Sequence, residues 1–118
     1  MPQTERAWRL LGLAARARAL VIGTPLICTA LSKKAKDKTP LLVLLAEDAS
    51  ENTKKRLADR TAFYGVELKP LPLTCAQLAH MIGKKEALVA AVGVTDQNLA
   101  AAIKAALDEY RIEVRYND

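Results

Sequence analysis

The hydrophobic and polar positions follow two periods along the chain, one typical of helices and one of buried strands. Apolar residues recur every three to four positions over residues 4–16, which predicts a first helix with Thr4 as its N-cap. The continuous apolar runs at 41–46 and 87–95 are typical of strands that are covered on both faces. A shorter run at 18–23 predicts a further strand between the first two helices.

Capping residues and prolines predict where the remaining elements begin and end. Thr24 followed by Pro25 predicts the start of a second helix, because proline suits the first helical position. Ser50 or Asp48 can cap a helix over 51–64, and Gly65 stands where a helix would end. Thr74 and Asp96 likewise precede a short helix that ends at Gly83 and a final helix.

Residues 66–72 alternate like a strand, but Pro70 and Pro72 cannot donate hydrogen bonds to a ladder, which predicts an edge strand or an early end. The C-terminal segment 112–118 fits either a short edge strand or a frayed end. Strands that alternate with helices of this length predict an α/β fold, a three-layer α/β/α sandwich with a mixed central sheet of about four strands. The 118 residues fit a single domain, 1–118.

The positive charge is concentrated in the first half of the chain. Residues 1–60 carry 12 Lys and Arg against 6 Asp and Glu, whereas residues 61–118 carry 6 against 7. A basic half on a neutral body is the electrostatic pattern of a protein that binds a phosphate backbone. The apolar runs are too short to cross a bilayer and the N-terminus lacks signal-peptide features, so we expect a cytoplasmic protein with no membrane partner.

The residues that usually carry catalysis or bind metal are sparse and scattered. Cys28 and Cys75 form neither a C-x-x-C pair nor a zinc ligand set with the lone His80, and we expect two reduced core thiols and a surface histidine. Glu47 and Asp48 could pair as catalytic carboxylates, but no nucleophile or base accompanies them. We therefore expect no enzyme activity, no metal and no cofactor.

Three stretches place a capped helix start directly after a strand: VIGTPL, LAEDASEN and VGVTDQN. Unpaired N–H groups at such starts attract anions. Gly23 and Thr24, with Arg16 and Arg18 just upstream, make a candidate anion pocket, although the same residues fit an ordinary capped turn. Residues 47–56 can equally form a solvated helix face with pairs between residues four apart, such as Glu51 and Lys55.

Three segments and their spacing resemble the bacterial branch of the L-seven-Ae ribosomal protein family: RLLGLAARARALVIG, LLVLLAEDASENTKKR and LAHMIGKKEALVAAVGVTDQN. The resemblance covers roughly residues 5–107. It implies an α/β/α sandwich that binds a kink-turn, a sharply bent RNA element, through a G-x-N-E-x-x-K signature at the start of the second helix.

Only the glycine of that signature is present in this chain. Aligned without gaps, the signature spans residues 23–29, and its asparagine, glutamate and lysine positions hold Pro25, Leu26 and Thr29. The resemblance places a second contact region on Asp48, Ala49 and Ser50, and a third, apolar loop on Pro72 and Leu73.

The sequence therefore predicts an RNA-binding protein for structured RNA, with ribosomal RNA as one candidate. The alternative is a protein-interaction adaptor on the same fold, with an apolar patch around Pro25, Leu26 and Leu73 and a protein partner. The predicted RNA-binding residues are Arg16, Arg18, Gly23, Thr24, Pro25, Leu26, Thr29, Lys33, Lys34, Asp48, Ala49, Ser50, Lys54, Pro72 and Leu73.

Overall fold

The computed structural model describes residues 2–33, 38–84 and 86–117, and the side chains of 5–33, 38–84 and 86–108 within them. The five helices and four strands are, in chain order, α1 (Pro2–Arg16), β1 (Leu20–Ile22), α2 (Thr24–Lys33), β2 (Leu42–Leu45), α3 (Glu51–Tyr64), β3 (Glu67–Pro70), α4 (Cys75–Met81), β4 (Ala91–Val94) and α5 (Gln97–Asn117). None of the helices, over these residues, is long and apolar enough to cross a membrane.

The four strands form one mixed sheet in the order β1-β4-β2-β3. β2 and β3 run parallel, while β4 runs antiparallel to both of its neighbours, β1 and β2. β3 is an edge strand, as its prolines predicted. The predicted mixed sheet of about four strands is confirmed.

Side chains of β2 alternate between two hydrophobic cores, one on each face of the sheet. Leu42 and Leu44 pack with residues of α1, α4 and α5. Val43 and Leu45 pack with residues of α2 and α3 on the other face. All four are buried, and the two helical layers make the α/β/α sandwich that the apolar run predicted.

Helix α3 begins and ends where its caps predicted. The Ser50 side chain accepts a hydrogen bond from the Thr53 backbone N–H at 3.1 Å. Gly65 takes the left-handed conformation with φ +69°, and its N–H donates a hydrogen bond to the Ala62 carbonyl in the last turn of the helix. Both capping signals are local, so the sequence predicts these two boundaries without knowledge of the tertiary structure.

Three predicted boundaries were wrong. Helix α1 begins at Pro2, so Thr4 lies within the helix rather than at its cap. β4 begins at Ala91 rather than at residue 87, because its partner β2 ends at Leu45, opposite Ala91. Residues 112–117 continue α5 and form neither an edge strand nor a separate tail.

An ion-pair network joins the edge strand β3 to α5. Lys69 is a buried residue, only 9% exposed, and its ammonium lies 2.8 Å from Asp108 and 3.5 Å from Glu67. Lys104 lies 2.9 Å from the other Glu67 oxygen. The pKa of Glu67 is lowered, chiefly by its hydrogen bond from Lys104 and by the positive charges of both lysines, against an opposing effect of burial. The network fixes the last helix to the edge of the sheet.

Gly93 lets a proline ring pack against the central strand β4. A Cβ atom at Gly93 would lie 2.9 Å from Pro40 Cβ and 3.0 Å from its Cγ, closer than carbon atoms approach. A side chain at residue 93 would therefore force the Pro40 ring or the strand to shift.

Candidate nucleic-acid interface

The carboxyl ends of three strands meet at one edge of the sheet. Because β1, β2 and β3 run in the same direction and β4 runs oppositely, the segments that follow the first three lie beside the start of β4. We call this edge the turn edge; its segments are 23–26, 46–50, 71–75 and 86–90. We call the opposite edge the far edge; its segments are 17–19, 39–41, 65–66 and 95–96.

Backbone hydrogen bonds hold the segments of the turn edge together. The N–H of Gly23 donates to the Ala91 carbonyl at 3.0 Å, and the N–H of Ala46 donates to that of Ala90 at 2.8 Å. The Glu47 N–H donates to the Leu73 carbonyl, also at 2.8 Å. The turns are therefore positioned by the sheet itself. At the far edge, the Thr95 N–H donates to Ala19, so the stretch VGVTDQN lies at the opposite edge from the other two capped starts.

The start of α2 is a turn with an apolar surface. Gly23 has φ +95°, a conformation that L side chains rarely adopt, and a Cβ there would meet no atom within 4 Å. Thr24 is half-buried, Pro25 is exposed and Leu26 is 60% exposed. Thr29 is exposed one turn further along. Since Pro25 has no N–H, this helix start offers an anion one donor fewer than usual.

Asp48 joins the turn after β2 to the start of α4. Its carboxylate accepts a hydrogen bond from the Cys75 backbone N–H at 2.7 Å. The pKa of Asp48 is lowered, because the Cys75 side chain and backbone both hydrogen-bond its carboxylate. Burial, together with the Asp48 carboxylate, raises the pKa of the Cys75 thiol to about 11. Beside Asp48, Ala49 is buried and Ser50 is exposed.

Of the predicted apolar loop, only Pro72 presents its side chain to solvent. Leu73 is 6% exposed and packs in the core, so its contribution to the turn edge is the carbonyl that accepts from Glu47. The Thr74 side chain accepts from the Gln77 backbone N–H, and the Gln77 side chain accepts from the Thr74 N–H, a complete capping box. This cap fixes the entry into α4 directly after the loop.

Leu88 is an apolar residue of the turn edge that the sequence prediction missed. Its side chain is 77% exposed. The backbone on either side is held, since the Ala87 N–H donates to Lys84 and the Val89 N–H donates to the Cys75 carbonyl. Because a strand was predicted from residue 87, Leu88 was expected to be buried within it. Its only sequence signal is a large apolar residue two positions after the charged stretch KKE.

The predicted cations do not gather at one place. Arg16 ends α1 and Arg18 lies in the turn before β1, at the far edge, so the whole of β1 separates both arginines from Gly23. Lys33 ends α2, about 15 Å along the helix from its start. The predicted anion pocket of Gly23, Thr24 and these arginines is therefore not formed.

Lysines supply the positive charge near the turn edge. Lys54, in the first turn of α3, lies 3.4 Å from Glu51, the residue that we expected to pair with Lys55. Lys55 is exposed in the same turn. Lys34 lies outside the described residues.

Groups that could support other chemistry are few. Cys28 is buried and Cys75 is half-buried, so one of the two predicted core thiols lies at the boundary of the core. His80 is exposed on α4, as predicted. Among the described residues, no group of three or more His, Cys, Asp and Glu side chains could hold a metal ion.

Comparisons with known proteins show relatives of this chain in two bacteria. No family model matches the chain. It is 41% identical to RNA-binding protein YlxQ of Bacillus subtilis, over 84% of this chain and 92% of the relative. It is 37% identical to RNA-binding protein YlxQ of Enterococcus faecium, over 85% of this chain and 89% of the relative.

Two solved structures share the fold. A protein of unknown function from Bacillus halodurans aligns with TM-score 0.77 and 32% identity, over 87% of this chain and 97% of the other. The Giardia lamblia 15.5kD RNA binding protein aligns with TM-score 0.70, over 92% of this chain and 88% of the other. Because the two sequences are only 12% identical, this alignment shows a shared fold alone. By its identity with the two curated relatives, the chain belongs to the family of YlxQ, a member of the L-seven-Ae family.

Proposed function

We propose that the protein binds structured RNA through the turn edge. The observation that carries the proposal is the convergence of four separate segments at one edge of the sheet, each fixed by backbone hydrogen bonds. A surface built in this way is rigid before binding, so little ordering is needed when a folded RNA docks. Two relatives that cover most of the chain are named as RNA-binding proteins.

The chemistry of the turn edge suits a bent RNA. Lys54 and Lys55 contact phosphates, and the exposed side chains of Leu26, Pro72 and Leu88 pack against bases or sugars that a sharp bend uncovers. We infer that the target is a kink-turn or a similarly bent element, with ribosomal RNA as its source. The protein then acts as a non-enzymatic part of a cytoplasmic ribonucleoprotein.

Recognition by this protein depends less on guanine edges than the family signature implies. Pro25, Leu26 and Thr29 replace the three polar residues of the signature, and each lost base contact of that kind costs about 1–3 kcal/mol. Shape and apolar contact must supply the remaining selectivity. We therefore expect a preference for bent over straight RNA that tolerates changes of the base pairs in the bend.

The direct test compares a kink-turn RNA with a plain duplex of equal length across a salt series. We expect tighter binding of the kink-turn at every salt concentration, and a fall in affinity for both RNAs as salt rises. Equal affinities would refute recognition of the bend. No detectable binding of either RNA at low salt would refute the RNA proposal as a whole.

The adaptor function is the second candidate, and the 60% exposure of Leu26 beside Pro25 favours it. Because Leu73 is buried, the apolar patch that contacts a protein partner would consist of Leu26, Pro25 and Leu88. Its signature is a protein partner that stays bound through this edge after nuclease treatment. Loss of every partner on nuclease treatment would contradict it.

A further inference from the structure

An open groove lies on the outer surface of the helical layer that contains α1 and α4. It has a volume of about 500 Å³ and is lined by Glu5, Trp8, Arg9, Gly12, Arg16 and Met81. A neighbouring hollow of about 350 Å³ shares three of these residues and extends the groove to His80. The groove lies outside the turn edge, and nothing in the proposed function uses it.

The floor of the groove is apolar and fixed. Trp8 and Met81 are half-buried and pack against the core of this face, so each presents its remaining surface to the groove. Gly12 has no side chain to fill the space between them. A Cβ at Gly12 would lie 3.6 Å from an Arg16 nitrogen and 3.7 Å from the Met81 carbonyl oxygen, which are ordinary contacts. The fold therefore has room for a Cβ atom at residue 12, whereas a larger side chain there would occupy the space that the groove offers to a ligand.

The rim of the groove is positively charged. Arg9 and Glu5 approach to 4.0 Å, but both are well exposed, so water weakens their attraction. Within the described part of the chain, Arg16 makes no ion pair. The charged residues that line the groove are Arg9, Arg16 and Glu5, which gives the lining a net charge of +1. This net positive charge favours an anionic occupant.

We propose that the groove binds a single-stranded stretch of RNA, with Trp8 stacking on a base and Arg9 and Arg16 contacting phosphates. An aromatic floor between arginines suits a nucleic acid strand better than an acidic peptide, because it offers a stacking surface as well as charge. The proposal rests on the proposed function for the identity of the polyanion. α4 starts at the turn edge and its seven residues span about 10 Å, so a strand that leaves a structured element can follow α4 to the groove.

Trp8 is the only tryptophan, so its fluorescence reports on the groove directly. We expect an oligonucleotide of six uridines to quench this fluorescence at low salt. Arg16→Gln weakens the binding and reduces the slope of log affinity against log salt by about 0.7. Arg60→Gln removes the same charge from α3, in the opposite helical layer, and leaves both quantities unchanged.

Gly12→Leu fills the groove and is expected to reduce binding of the six uridines at least tenfold, while the circular dichroism and melting temperature show a folded protein. Quenching that persists in this variant, or equal effects of Arg16→Gln and Arg60→Gln, would overturn the proposal. A peptide of six glutamates is the decisive control. If it quenches Trp8 as strongly at equal concentration, the groove responds to negative charge alone, and its assignment to RNA is overturned.

Leu88→Ser separates this proposal from the proposed function. The variant alters the turn edge and leaves the groove intact, so it is expected to bind the kink-turn RNA more weakly and the six uridines normally. Tight kink-turn binding by the wild-type protein with no quenching by the six uridines would overturn the groove alone. Quenching without kink-turn preference would overturn the proposed function alone.

Discussion

Replacement of Leu88 by serine tests whether the exposed apolar side chain of the turn edge contacts RNA. Leu88 is 77% exposed, so its side chain contributes little to folding and keeps most of its apolar surface available to a ligand. Changes at exposed positions of this kind usually alter the free energy of unfolding by less than about 0.5 kcal/mol. We therefore expect a stable variant whose defect is confined to binding.

The size of the expected defect follows from that exposure. Full burial of a leucine side chain contributes about 1.5–3 kcal/mol, and RNA packed against one side of Leu88 would cover about half to two thirds of its surface. The binding free energy should then weaken by about 1–2 kcal/mol, which is roughly a 5- to 30-fold rise in Kd. A change of this size is well resolved by titration.

The assay is a fluorescence-anisotropy titration of labelled kink-turn RNA at fixed salt. Leu41→Ser is the matched control, because Leu41 is a partly exposed leucine that donates its N–H to Val94 at the far edge. We expect Leu88→Ser to raise Kd and Leu41→Ser to leave it unchanged. The same Kd for Leu88→Ser as for the wild type, or equal defects in the two variants, would refute the placement of RNA at the turn edge.

Three further predictions concern stability and reactivity. Gly93→Ala should lower the melting temperature by roughly 8 °C, since a methyl group overlaps a proline ring and such overpacking costs about 2 kcal/mol; an unchanged melting temperature would contradict this. Peptide mapping after iodoacetamide treatment at pH 9 should show Cys75 largely unmodified, because burial and Asp48 raise the pKa of its thiol to about 11. Asp48→Asn should speed the modification of Cys75. Rapid labelling of Cys75 in the native protein would argue against the raised pKa. The pKa of Glu67 is lowered chiefly by Lys104, so the Glu67 carboxylate stabilises the fold above its ordinary pKa of 4.5, and this stabilisation is lost as pH falls through the lowered pKa. The difference in the free energy of unfolding between the native protein and Glu67→Gln should therefore shrink on acidification. A difference that stays constant with pH would contradict this.

Features encoded by neighbouring residues could be predicted from the sequence. The helix over residues 51–64 is bounded by Ser50 and Gly65, whose capping preferences act within a turn of the helix. Pro70 predicted the edge position of β3 because a missing N–H is tolerated best there. Local rules of this kind predicted where α2, α3, α4 and α5 begin and where α3 ends.

Features set by strand direction could not be predicted in the same way. Arg18 is five residues from Gly23, and this nearness in sequence suggested a shared pocket, but β1 between them sends the two residues to opposite edges. The direction of β4 placed Asp96 at the far edge for the same reason. Pairing direction is a tertiary property, since the same apolar run fits a parallel or an antiparallel neighbour.

The candidate site also depends on contacts between distant segments. The hydrogen bond from the Cys75 N–H to Asp48 joins residues 27 positions apart, and no spacing rule predicts it. Leu73 is buried although its neighbour Pro72 is exposed, which reflects how the loop enters α4. The predicted regions at Gly23 and at Asp48 nevertheless lie together at the turn edge.

Binding of RNA at the turn edge can be tested by a map of backbone amide chemical shifts during titration with a kink-turn RNA that has no single-stranded ends. We expect the largest changes at Gly23, Leu26, Ser50 and Leu88, while Arg18 and Leu41 at the far edge stay unchanged. Largest changes at the far edge, or changes of equal size at both edges, would contradict it.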